Sequence, residues 1–172
     1  MEIIELLKII IPALLVLLAA YLLLDKFFKN EEKRRNYEIS KVNATTITPI
    51  RLRAYERLML VLERTIPSNL VLNNIKSEMT NSELHTVLLT AIRQEFSHNV
   101  SQQIYVSEEL WSYVRSVQES LLKLVNTCAA HSNPENNGAE LAERIIQVFG
   151  SSEKTPSELA IEKLKAEVRN YF

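Results

Sequence analysis

Leu110, Val114, Val117, Leu121, Leu124 and Cys128 follow one another at spacings of four, three, four, three and four. Only a helix returns side chains to one face at that period. A seam this regular belongs to a helix lying nearly along a neighbour. The rest of the chain agrees. Its 172 residues include only 2 Gly, where about a dozen would be usual. That scarcity argues against hairpin-rich sandwiches and barrels, Rossmann turns and P-loops, which all need positive φ or close backbone approach. Every acidic residue except Asp25 is Glu, the acid that favours helix interiors over caps and turns. At 47% hydrophobic the chain is not disordered, and the expected class is all-α.

Punctuation places about five helices beyond residue 48. Thr48-Pro49 is an N-cap with proline at the first helical position. Leu52, Tyr55, Met59, Leu62 and Ile66 continue it as one stripe until Pro67-Ser68-Asn69. Leu70 to Ser77 reads either as an extended connector or as a turn of helix. Thr80-Asn81-Ser82-Glu83 is a capping-box pattern, opening a helix expected to reach about Val106. Ser107 caps the helix carrying the seam, and His131 to Gly138 is a loop. Leu141, Ile145 and Val148 mark a fourth helix stopped at Gly150. Thr155-Pro156-Ser157-Glu158 caps a fifth, with Ile161, Leu164, Val168 and Tyr171 on one face.

The first third of the chain differs. Ile9 to Leu24 carries no charge, a run of about 24 Å as helix, extended to about 33 Å by Ile3 to Leu7. Lys8 can snorkel to the headgroups with Glu5 beside it, and Pro12 falls early, where a kink is tolerated. The leading residues are acidic and no small-x-small site follows, so the segment is expected to stay as an anchor rather than be cleaved as a signal peptide. Glu2 and Glu5 precede it, and Lys26, Lys29, Lys33, Arg34 and Arg35 follow it. The positive-inside rule then leaves the N-terminus outside and the remainder in the cytoplasm, at the inner membrane. Tyr21, Phe27 and Phe28 suit the inner interface. The expected organisation is an anchor over 1–25, a charged juxtamembrane stalk and linker over 26–47, and a helical soluble domain over 48–172. The single Cys128 fits a reducing compartment, which makes the sequons at Asn43 and Asn99 chance matches.

One stretch departs from simple amphipathicity. At about 100° per residue Leu84, Val87, Leu88 and Ala91 share a face, and that face then receives Glu95, His98, Asn99 and Gln102, with Tyr105 close by. Burying such groups is costly unless they bond one another. Three readings stand: solvated residues beyond the bundle edge, a buried polar network fixing register, or a ligand or metal site on Glu95-x-x-His98. The last is the half-motif of di-iron carboxylate bundles, which need a second copy and further glutamates. Elsewhere Cys128-x-x-His131 lacks the second pair of a zinc site, and Cys128 on the seam reads as a small buried hydrophobe. His85 reads as surface and Trp111 as a core-edge anchor. No Ser-His-Asp set is present and no basic stripe suits nucleic acid.

The blocks Leu52-Arg53-Ala54-Tyr55-Glu56-Arg57-Leu58, Leu62-Glu63-Arg64-Thr65-Ile66-Pro67 and Gln94 to Ser107 resemble a family of short single-pass membrane proteins from Bacteroidetes-type bacteria. The likeness runs from about Met1 to Asn126. It implies an anchor followed by a helical domain and supplies no activity, cofactor or catalytic residue. A likeness to b-type stator subunits fails, because Pro49, Pro67, Pro134 and Pro156 break the chain into short helices.

The functional expectation is a membrane-tethered interaction or scaffolding module without enzymatic activity. Its candidate site is Glu95, His98, Asn99, Gln102 and Tyr105. No catalytic or metal-ligating residue and no cofactor is assigned. The expected partners are the lipid bilayer and another membrane or cytoplasmic protein or a second copy, and not nucleic acid; the 110–128 seam reads equally as a dimer contact or as a face buried within the chain's own bundle. The alternative is a small metal- or ligand-binding helical domain centred on Glu95 and His98.

Overall fold

The computed structural model describes residues 2–151 and 155–171; within that range the side chains of 2–10, 12, 13 and 43 lie outside the described residues. The expected membrane-facing roles of Glu5, Lys8 and Pro12 fall there. Among the described residues the chain is all-α: α1 (Glu2–Val42), α2 (Thr48–Arg64), α3 (Pro67–Asn74), α4 (Asn81–His98), α5 (Glu108–Ala130), α6 (Gly138–Gly150) and α7 (Pro156–Tyr171). It divides into two compact units, Met1–Pro49 and Ile50–Phe172.

In the first unit the helix runs through the charged flank to Val42, and the expected irregular linker is instead π-helical over Asn43–Ile47. The Thr45 hydroxyl donates to the Lys41 carbonyl at 2.9 Å, satisfying a group the widened turn would strand. Leu14 to Leu18 and Tyr21 to Leu24 are all more than half exposed, as are Phe27 and Phe28. Among the described residues no helix is long and apolar enough to cross a membrane.

In the second unit α5 packs on α4, α6 and α7, while α4 also meets α3 and α6. The buried line of α5 is Leu110, Val114, Val117, Leu121, Val125 and Cys128. The expected seam is therefore a core seam of the chain's own bundle, with Val125 in the buried place expected for Leu124, which packs half-buried at the core edge. Leu62, Leu84, Leu88, Ile92 and Leu141 are fully buried around it. At the rim Lys163 of α7 donates to Glu109 of α5 at 2.6 Å.

Three of the four expected N-caps form as their residues imply; Thr48 is no cap, because α2 follows the π-helical turn without a break and Thr48 is itself helical. Thr80 and Glu83 close the capping box of α4, the Ser107 hydroxyl accepts from Leu110 N at 3.1 Å on α5, and Thr155 with Glu158 repeats the box on α7. Further boundaries differ from expectation. Pro67 does not merely end α2; it is the first-turn proline of the separate α3. The loop after α5 is no loose connector either. Asn81 is buried, donating to Asn133 O at 2.8 Å and accepting from Leu141 N at 3.1 Å. Gly138 N donates to Met79 O at 2.7 Å, and a Cβ at 138 would sit 3.1 Å from that same oxygen, so the close crossing favours glycine.

Candidate functional site

The buried line of α4 is Leu84, Leu88, Ile92 and Phe96. Steps of four overshoot a full turn by about 40° each, so this line winds away from the face that Leu84, Val87 and Ala91 define. Val87 and Ala91 end half-buried on its flank. The core face therefore stays apolar to the helix end, and the polar residues do not interrupt it.

The same winding explains where those residues lie. Glu95 is half-buried and pairs with Arg64 of α2 at 3.8 Å. His98 is the exposed last residue of α4. Asn99 is the C-cap, its amide donating to the Glu95 carbonyl at 2.9 Å. The chain then tightens into a 3-10 segment, Val100–Ile104, where the helix was expected to continue to Val106. Gln102 is buried, its backbone N donating to Asn99 O and its side chain to the Ser101 hydroxyl at 3.3 Å. Tyr105 is half-buried and joins through its carbonyl. The stretch is thus a helix terminus and its cap. Among the described residues no group of three or more His, Cys, Asp and Glu side chains is placed to hold a metal ion.

The structure assembles a different polar centre from three distant segments. Tyr55 of α2 donates its hydroxyl to Glu167 of α7 at 2.8 Å. The other donors to that carboxylate are both from Ser107: its backbone N at 2.9 Å and its hydroxyl. Because the Ser107 hydroxyl also caps α5, Glu167 sits at the positive end of that helix. Arg51 then donates to Tyr55 at 3.3 Å and to the Tyr105 carbonyl at 3.1 Å. Its guanidinium lies 3.9 Å from the centre of the Tyr171 ring.

Burial first, and then the Glu167 carboxylate, push the Tyr55 phenol up to about 12. A phenol held so firmly neutral is a donor and no base. The group is a clamp that ties α2 and α7 to the start of α5. Spacing alone could not reveal it, because its members lie 60 and 112 residues apart. The available signal was a tyrosine in the middle of an apolar stripe, whose hydroxyl needs a partner once buried.

Beside the clamp, α2 and α7 leave an open apolar groove of about 610 Å³, floored by Tyr55 and Leu164 and walled by Leu52, Met59, Leu60 and Val168. Glu56 stands on the α2 rim, Lys165 and Arg169 on the α7 rim. The remaining sequence candidates are structural. Cys128 is buried, and burial raises its thiol above the ordinary range. His131 donates to its own helix at Thr127 O, 2.8 Å away. His85 is half-buried and pairs with Asn126 at 2.9 Å, and Trp111 packs against the core edge.

Compared with known proteins, the chain matches the family of unknown function DUF7935 over residues 1–171. The match thus takes in the last forty residues, where the sequence blocks suggested no likeness. No curated protein and no solved structure matches it.

Proposed function

The chain belongs to this family of unknown function, and from that premise we propose that it is a membrane-tethered, non-enzymatic interaction module. The observation that carries the reading is the exposure of α1. From Leu14 to Phe28 large apolar side chains stand exposed in every direction around the helix, Leu17 at 68% and Phe28 at 67%. A helix apolar all round needs an apolar surrounding, and a bilayer supplies one. The described apolar stretch is short by itself, so the reading also relies on Ile3 to Leu7 lengthening the apolar segment, with Glu5 and Lys8 toward its outer edge. The following Lys26, Lys29, Lys33, Arg34 and Arg35 favour a cytoplasmic second unit. In that unit the polar side chains of the clamp are spent on one another, while the α2–α7 groove remains open to a partner.

The test is extraction and labelling of the full chain carrying Cys128→Ala and Ser151→Cys. The protein should stay with membranes through alkaline carbonate, and an impermeant maleimide should reach residue 151 only after the cells are lysed. Release by carbonate overturns the tether. Labelling in intact spheroplasts overturns the orientation.

A further inference from the structure

The charges at the rims of the α2–α7 groove are segregated by wall. Glu56 lies on one side and Lys165 with Arg169 on the other. Among the described residues none of the three has an ion-pair partner. Leu60 on the α2 wall is 52% exposed and Leu52 39%, an apolar ridge beside an apolar trough. A surface with an acidic edge, a basic edge, a ridge and a trough is complementary to itself.

We propose that the groove docks a second copy of this chain, groove to groove. The inference rests on the interaction role proposed above and names the partner. The helix directions choose the symmetry. Arg51 meets Tyr171 and Tyr55, one turn later, meets Glu167, one turn earlier, so α2 and α7 run antiparallel. A two-fold axis running along the helices lays each α2 over the partner's α7 at matching height. Glu56 then faces the partner's Lys165 and Arg169, Leu60 enters the partner's trough, and each pair of contacts occurs twice, as an isologous interface requires. A two-fold across the helices would instead set Glu56 against Glu56 and cations against cations, which is repulsive. Only the first arrangement brings both Ile50 ends out at one end of the pair, which two chains tethered in one bilayer need. Sharing a bilayer also raises their effective concentration.

The experiment uses the full chain in its own membranes, with Cys128→Ala throughout and two epitope tags. On addition of a copper–phenanthroline oxidant to the isolated membranes, a copy with Glu56→Cys should form a disulfide with a differently tagged copy carrying Lys165→Cys. Two Glu56→Cys copies should not link. Leu60→Asp, at an exposed position the fold does not need, should lower the linked fraction about tenfold. Glu56→Lys should lower it about two- to fivefold, and combining Glu56→Lys with Lys165→Glu and Arg169→Glu should restore it, since only like-with-like docking is repaired by exchanging both edges in one chain.

Linking of 56 to 56, or no linking while another protein co-purifies and is lost with Leu60→Asp, overturns docking of a second copy. A chain that is monomeric by mass in detergent and unlinked in membranes overturns it too. These outcomes are distinct from failure of the tether, which is read by carbonate release alone.

Discussion

The first unit and the second unit spend apolar side chains in opposite ways. In α1 they follow one another without period, and Leu14 to Phe28 remain exposed all round. In α2 to α7 they recur every three or four residues, so each helix has a face to bury and a face to wet. Leu88 and Leu17 are the same residue in the same secondary structure, yet one is fully buried and the other is 68% exposed. Periodicity builds a core from within the chain. An unbroken run needs an apolar environment from elsewhere.

Truncating the two leucines breaks or sharpens that contrast most directly. Leu88→Ala should cost the second unit about 2–5 kcal/mol, through lost transfer energy and the cavity left behind. Leu17→Ala should leave the unfolding of that unit within about 0.5 kcal/mol of the parent. Denaturant midpoints of the full chain in mild detergent check both. Comparable losses from the two substitutions would mean that α1 contributes to the bundle's core.

The clamp gives the next largest effect. Glu167→Ala strands the Tyr55 hydroxyl and the Ser107 N–H, groups otherwise paired at 2.8 and 2.9 Å. The loss should be about 2–3 kcal/mol, with Glu167→Gln retaining part of it because the amide oxygen still accepts. Amide exchange should quicken first in α7 and in the first turn of α5. Uniform quickening would show that the bundle opens as one body and that the clamp is no local fastening.

Tyr55 adds a pH signature. Its phenol is raised from 10 to about 12 in the folded chain. Below pH 10 the phenol is protonated whether folded or not, and its contribution is constant. Between pH 10 and 12 the unfolded chain gives up the proton while the folded chain holds it. Stability must therefore fall as pH rises through that window. Tyr55→Phe should be less stable at pH 8 and lose less between pH 10 and 12. Parallel curves for the two proteins would remove the link between Tyr55 burial and its held proton.

Local chemistry was legible in the sequence because it depends on neighbours. Thr80 with Glu83, Ser107 before the seam, and Thr155 with Glu158 all cap where their patterns say. α3 was obscured because Pro67 suits the end of one helix and the first turn of the next equally well. The end of α4 was obscured because Val100 and Ile104 keep apolar character in a 3-10 turn where they stand exposed. The Glu95 to Tyr105 stretch looked anomalous because the face was drawn from Val87 and Ala91. Ile92 and Phe96 carry the true line, and with them the polar residues become a cap. The clamp depends on three segments meeting, and no spacing rule reports that.

The smallest effect concerns the one strained backbone position among the described residues that are not glycine. Glu78 has φ of 69°, in the turn where Met79 N donates to Lys76 O on the way into the α4 capping box. The left-handed region costs an L-residue about 1–2 kcal/mol, and glycine visits it freely. The Glu78 side chain is exposed, so removing it sacrifices no packing. Glycine also widens the unfolded ensemble, which takes back about 0.4–1 kcal/mol. Glu78→Gly should therefore stabilise the second unit by about 0.5 kcal/mol, a small rise in thermal midpoint, whereas Glu78→Val should lower it. The sign distinguishes the two units once more, since α1 has no such turn to relieve and glycine at exposed Leu17 would only weaken a helix.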